Sequence, residues 1–127
     1  MKEYIAYKGQ AFQIEWYYSE NGKSQPLDYA ERLSVKDKAK LANLLRLMGD
    51  IGKIRGEDRF RNEGDQVYVF KPQPHRFLCF FVSGQKIIIT NAFQKKQQKL
   101  PKGEKDRALR AMNDYQQRIQ EGNYYKL

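Results

Sequence analysis

The spacing of apolar positions changes period several times along the chain, and each change marks an element. Phe12, Ile14 and Trp16 or Tyr17 come close enough to alternation to predict a strand, closed by the turn-forming Ser19-Glu-Asn-Gly22. Pro26 is placed to open a helix through Leu33, with Leu27, Ala30 and Leu33 on one face. A second helix begins at Ser34, where Ser34-Val-Lys-Asp37 has the form of a capping box with Asp in the third helical position. Leu41, Leu44, Leu45 and Met48 continue it at helical spacing, and Gly49 or Gly52 ends it. Residues 52–65 mix both signs of charge with glycines and read as a mobile connection. Three β segments follow at 67–71, 76–82 and 86–91, joined by Pro72-Gln-Pro-His75 and by Ser83-Gly84-Gln85, which predicts an antiparallel meander. A last helix over about 103–120 carries Ala108, Ala111, Met112, Tyr115 and Ile119 on one stripe. Residues 1–10 have β character but no period that fixes an element, and no repeat or low-complexity tract interrupts the chain.

This order of elements gives an α+β class, and 127 residues suit a single domain with a modest core. The net charge of +9 adds more than size does, because it is unevenly placed. Residues 1–65 hold 12 Lys/Arg against 11 Asp/Glu, whereas residues 66–127 hold 12 against 4. Its densest part is Asn91–Lys102, where Lys95, Lys96, Lys99 and Lys102 follow directly on Ile87-Ile88-Ile89. A buried strand delivering lysines into a loop builds a positive field on a rigid base, an arrangement suited to a polyanion such as nucleic acid. The competing reading of such a run is a solvated face. Cys79 is the sole cysteine and His75 the sole histidine, which argues against a disulfide, a cysteine-built metal site or a zinc site. Cys79 itself lies in the apolar string 77–82 and reads as a small buried hydrophobe. No stretch has membrane-spanning length and the N-terminus lacks a signal-peptide core, so a cytoplasmic protein is expected.

The strong catalytic signatures are missing: there is no phosphate-binding Gly-Lys-Ser/Thr loop, nucleophile elbow or His-Glu-x-x-His pair. Lysine, arginine and tyrosine remain as candidates, and that set suffices to cleave RNA, whose 2′-hydroxyl is its own nucleophile. Arg76 opens a strand near Lys71, at the end of its hairpin partner; two cations there grip a phosphate, or simply form a solvated strand end. His75, after Pro74 in a turn, either titrates or stacks on a base, or is an ordinary exposed histidine. Tyr115 belongs to the apolar stripe, so packing is its default role.

The second half of the chain resembles the RelE/HigB-like toxins of type II toxin–antitoxin systems, within the RelE/ParE superfamily. The likeness is carried by residues 68–71, His75-Arg76-Phe77, Ile87-Ile88-Ile89, Ala92-Phe93-Gln94-Lys95-Lys96, Pro101, Ala108 and Asp114-Tyr115. It covers about residues 11–116, with Glu15-Trp16-Tyr17 and both helices in order, and leaves 1–10 and 117–127 as peripheral extensions. The resemblance implies a strand, two helices, a three-stranded antiparallel meander and a C-terminal helix. It also implies a cofactor-free, metal-free, ribosome-dependent endonuclease acting on translated mRNA. A cognate antitoxin would hold it off by laying an acidic or amphipathic segment across the basic groove and helical pair, within a higher toxin–antitoxin assembly in some cases. Arg76 then matches the arginine near the scissile phosphate, Lys95 or Lys96 supplies cationic contacts, and Asp114 and Tyr115 match an active-site pair of HigB-like members. Lys71 falls where the family often has arginine or lysine, and Lys71, His75 and Tyr115 all remain candidate proton acceptors. Three departures stand out: Val69-Phe70-Lys71 replaces a common Glu-Leu-Arg, Gln116 stands where some members have histidine, and the chain runs past the usual end. ParE-like members of the superfamily inhibit a DNA topoisomerase without cleaving RNA, which makes that the alternative function; a third is an RNA-binding relic without cleavage.

Overall fold

The structure is a computed structural model that describes residues 4–125. Its centre is one six-stranded sheet in the order β1-β2-β6-β5-β4-β3, formed by β1 (Ile5–Lys8), β2 (Gln13–Trp16), β3 (Phe60–Asn62), β4 (Tyr68–Phe70), β5 (His75–Val82) and β6 (Lys86–Gln94). Only β2 and β6 run parallel; every other neighbour is antiparallel. Two helices, α1 (Gln25–Glu31) and α2 (Val35–Arg46), cover one face, where Ala30, Leu41, Leu44 and Leu45 meet Ile14, Phe77, Cys79, Ile87 and Ile89. The third, α3 (Lys102–Gln120), covers the other, where Ala108 and Tyr115 meet Leu78, Phe80 and Ile88. Because β5 and β6 are covered on both faces, they are continuous apolar runs rather than alternating ones. Burial also holds the Cys79 thiol in its neutral form by pushing its pKa up. Among the described residues no helix is long and apolar enough to cross a membrane.

The expected α+β order is kept, with two strands added. Within residues 1–10, Ile5–Lys8 pairs with β2; residues 1–3 lie outside the described part. The stretch read as a mobile connection contains β3, which pairs with β4 and extends the meander to four strands. Phe60 holds it there, its ring 4.9 Å from that of Phe70 and stacked on Tyr68 at 5.7 Å. On α3, Ile119 is turned outward at 41% exposure and Arg118, 8% exposed, takes its place in the stripe.

Two local features set where functional groups point. At Leu78/Cys79 the β5–β6 register shifts, so that Leu78 pairs with Asn91 and Cys79 with Ile89, leaving Thr90 as a bulge. The Thr90 hydroxyl bonds to Leu78 O (3.2 Å) and to Asn91 Oδ1 (2.7 Å). Across the bulge the alternation inverts: Ala92 joins Ile87 and Ile89 on the α1/α2 face, and Phe93 turns to the α3 face. At the other end of the fold, α2 continues as a wide turn over Leu47–Ile51, stopped by Gly52 in the left-handed conformation (φ 81°). There Gly49 O accepts from Ala11 N (2.7 Å) and Phe12 N (2.9 Å), which brings the β1–β2 hairpin down onto the helix. A Cβ on Gly9 would sit 2.1 Å from the Gly49 carbonyl carbon. Gly9→Ala is therefore expected to cost about 1–3 kcal/mol of overpacking. It should lower the melting temperature by about 5–10 °C. A melt unchanged from wild type would show that the hairpin shifts freely.

Ser34 caps α2 as predicted, its Oγ accepting from Asp37 N at 3.1 Å. The reciprocal half of the box is not used. The Asp37 carboxylate turns instead to His75, 2.9 Å from Nε2.

Candidate functional site

Successive residues of a strand point to opposite faces, so His75 and Arg76 part at the start of β5. The Arg76 side chain lies on the α3 face, in a recess between the β3–β4 end of the sheet and the loop before α3. Lys71, Lys95, Lys99, Glu63 and Phe93 line that recess with it. Lys71 leaves the end of β4, held by its own N–H on Arg59 O (2.8 Å), and the loop is tied back by Lys95 N on Pro74 O (2.8 Å). Arg76 is 8% exposed, and its Nη1 donates to His75 O (2.9 Å) and to Gln73 Oε1 (3.1 Å). Gln73 is fixed in turn by Asp58 O, which accepts from its Nε2 at 2.9 Å.

Neither Arg76 nor Lys71, Lys95 or Lys99 has a carboxylate within 4 Å among the described residues. Burial lowers the pKa of Arg76 against the pull of Glu63. Burial and then the neighbouring Arg76 charge lower that of Lys71. Two partly desolvated cations thus repel each other across the recess, and neither has a carboxylate in ion-pair contact among the described residues. A bound phosphate would relieve both costs by charge-assisted hydrogen bonds. Glu63 is the single carboxylate on the lining, and among the described residues its one ion pair is with Arg61 at 3.9 Å. Sequence reading missed it, because it follows β3 in the stretch taken for a loop.

His75 is a buried brace rather than an exposed turn residue. It is 9% exposed, with Tyr29 Oη 2.7 Å from Nδ1 and Asp37 Oδ2 2.9 Å from Nε2. A carboxylate only accepts, so Nε2 donates to Asp37 and, in the neutral ring, Nδ1 accepts from the Tyr29 hydroxyl. The ring thereby joins α1, α2 and β5, and the bond from His75 lowers the Asp37 pKa. What His75 gives the recess is its carbonyl oxygen, the acceptor for Arg76.

Asp114 and Tyr115 lie elsewhere. They are 13 residues beyond Pro101 along α3, roughly 20 Å from the recess at the helical rise per residue. Asp114 accepts from the Tyr17 hydroxyl and from Arg118 (Nε 3.0 Å, Nη2 2.8 Å). Tyr115 is 2% exposed, edge-on to Phe80 at 5.6 Å and to Tyr124 at 4.5 Å. Its hydroxyl meets that of Tyr125 (2.9 Å), which donates to Glu15 Oε1 (2.6 Å). Tyr124 and Tyr125 thus form a strap beside Tyr115. Lys96 and Lys102 stay exposed beside the recess, Lys102 reaching Asp106 at 3.3 Å. In sum, Lys71, Arg76, Lys95 and Lys99 come together, while His75 and the Asp114-Tyr115 pair stand apart. Among the described residues no group of three His, Cys, Asp or Glu is placed to hold a metal ion.

The strap has a pH signature. Burial leads the causes that raise the pKa of Tyr17 (to about 12), Tyr115, Tyr124 and Tyr125 above the usual 10.0. The folded state therefore keeps protons that the unfolded chain releases above about pH 10, so stability is full below that pH and falls as pH rises through the folded values. Tyrosinate absorbance from these four should appear only together with loss of circular dichroism. Ionisation well before unfolding would show the strap to be open to solvent.

A comparison with curated proteins finds no match for this chain. A family does match: residues 28–113, which is 86 of the 127 and includes the whole recess, fit the family described as phage-derived protein Gp49-like (DUF891). The chain belongs to that family, one associated with the RelE/HigB-like toxins of toxin–antitoxin systems.

Proposed function

We infer that this protein is the toxin of a toxin–antitoxin pair and that it cleaves mRNA held on the ribosome. The observation that carries the reading is the buried, unpaired Arg76 guanidinium beside Lys71, with Lys95 and Lys99 on the same recess. That cluster suits a phosphodiester in the act of gaining negative charge. In the reaction the RNA 2′-oxygen attacks the phosphorus and the bond from phosphorus to the 5′-oxygen breaks. The products are a 2′,3′-cyclic phosphate and a 5′-hydroxyl. Glu63 takes the proton from the 2′-hydroxyl. Lys71, whose lowered pKa makes it a readier acid than an ordinary lysine, gives one to the departing 5′-oxygen. Arg76 holds the non-bridging oxygens throughout. Lys95 and Lys99 grip neighbouring phosphates, so affinity should fall steeply with salt. The antitoxin would neutralise the toxin by placing acidic side chains over these cations.

The test is to induce the chain in bacterial cells and map mRNA 5′ ends. New internal ends confined to translated messages are expected. Growth arrest with intact messages would instead point to a topoisomerase-directed inhibitor on the same scaffold.

A further inference from the structure

A second cationic cleft lies on the opposite flank of α3. The recess opens on the β4 side of that helix. The cleft opens on the β2 side, between α3 and the start of α1, with a volume of about 440 Å3. Tyr17, Gln25, Asn91, Arg107, Arg110 and Asp114 line it.

Its neutral polar groups are already committed. The Gln25 amide bonds the Ala92 backbone in both directions, Nε2 to O and Oε1 from N, each at 2.7 Å. Asn91 Nδ2 donates to Glu104 O and Oε1, both 3.1 Å. Thr90, on the floor, is tied to Leu78 and Asn91. Asp114, the one carboxylate on the lining, is taken by Tyr17 and Arg118. What is left is donor capacity on two guanidiniums. Arg107 is 60% exposed, and among the described residues its one ion pair is with Glu104 of its own helix, at 3.6 Å. Arg110 is exposed and has no ion pair or hydrogen bond among the described residues. At a spacing of three residues the two project from the same side of α3. A ligand for this cleft must be anionic and accept hydrogen bonds without needing to donate, which describes a phosphodiester.

We propose that the α1–α3 cleft is a second binding site for single-stranded RNA, with backbone phosphates held by Arg107 and Arg110. The choice of RNA rests on the function inferred above; the binding itself does not depend on cleavage. Asn91 in the cleft and Phe93 in the recess are two residues apart on one strand and face the same side, roughly 7 Å from each other. Lys96, Lys99 and Lys102, on the loop and first turn that round the end of α3, continue the cationic path between the two sites. A strand seated in the recess reaches the cleft by rounding this end of α3, where the carboxylates Glu104 and Asp106 are already engaged by Asn91 and Arg107 and by Lys102.

The probe is a fluorescent uridine oligonucleotide of about 12 residues, 2′-O-methylated so that it resists cleavage. Its affinity is measured from about 50 to about 200 mM salt. Relative to wild type, Arg107→Gln/Arg110→Gln should lower the slope of log K against log salt by about 1.4, and weaken binding about 10- to 30-fold near 0.1 M. Lys53→Gln/Arg55→Gln, which removes the same charge from the exposed connection after α2, should leave the slope within about 0.3 of wild type. Thermal melts of both variants check folding. An unchanged slope in the arginine variant, or an equal fall in the control, overturns the proposal. So does a wild-type protein that ignores the oligonucleotide and captures a polyglutamate peptide instead, which would make the cleft a seat for an acidic protein. If the slope falls as expected yet no new mRNA ends appear in cells, the endonuclease reading fails and the RNA cleft stands.

Discussion

Arg76→Ala is expected to abolish growth arrest and to slow RNA cleavage by about 10²–10³-fold, the loss typical of one preorganised donor at a site of developing charge. The fold should survive. Arg76 has no carboxylate partner among the described residues, so its removal strands no opposite charge, and the two acceptors it leaves, Gln73 Oε1 and the buried His75 O, are neutral and cost about 1–3 kcal/mol. The change also removes a neighbour that holds the Lys71 pKa down. In wild type the recess carries its full charge at neutral pH and loses one proton, from Lys71, as pH rises through a value below the usual 10.5. In Arg76→Ala that loss should move to higher pH, towards an ordinary lysine, which a carbon-detected NMR titration of the Lys71 Cε resolves. Arg76→Lys keeps the charge but not the two-pronged geometry and should recover only part of the rate. Full toxicity in Arg76→Ala would remove this residue from the mechanism. Inactivity accompanied by a large drop in melting temperature would mean that its role is structural.

What was legible in the sequence follows the range of the interactions involved. The α2 leucines and the apolar runs of β5 and β6 announce themselves because burial on one or both faces imposes a period on neighbouring residues. Arg76 and Lys71 were placed together correctly because a hairpin connects them through five residues or fewer. Features set by distant partners left no local trace. Pro72-Gln-Pro-His75 looks like an exposed turn, yet His75 is buried by Tyr29 and Asp37, 46 and 38 residues away. The bulge at Thr90 reverses which side chains face α3, and no residue type there marks it. The short β3 is hidden because Arg61 and Asn62 are exposed and Phe60 alone supplies its apolar contact, and with β3 the sequence also concealed Glu63. Asp114-Tyr115 was matched by motif to a catalytic pair; here Tyr17 and Arg118 engage the Asp114 carboxylate, and Tyr124 and Tyr125 engage Tyr115. The segment that fits the family ends at residue 113, so recess and family coincide while the strap lies beyond them.

Tyr124→Ala/Tyr125→Ala is expected to destabilise the fold by about 3–5 kcal/mol, because it combines the loss of two packed rings with a buried carboxylate left short of one donor. Tyr124 covers Tyr115, lies 4.6 Å beneath the Arg118 guanidinium and accepts Tyr18 N–H at 3.0 Å. Tyr125 carries the second part of the effect. Glu15 is 1% exposed, and without Tyr125 it keeps only Gln13 Nε2 at 2.6 Å and Lys86 at 3.7 Å. The melting temperature should fall by roughly 10–20 °C for a chain of this size. Tyr125→Phe separates the two contributions. It preserves the ring and deletes the hydroxyl, so its cost should be about 2–3 kcal/mol in wild type and under about 1 kcal/mol in a Glu15→Gln background. Equal costs in both backgrounds would mean that the hydroxyl's value lies in its bond to Tyr115 instead. Because the recess is at the other end of α3, both variants should still bind and cleave RNA below their own melting temperatures. If activity disappears while the protein remains folded, the Asp114-Tyr115 end of the helix takes part in the reaction after all, and the strap covers catalytic groups as well as core.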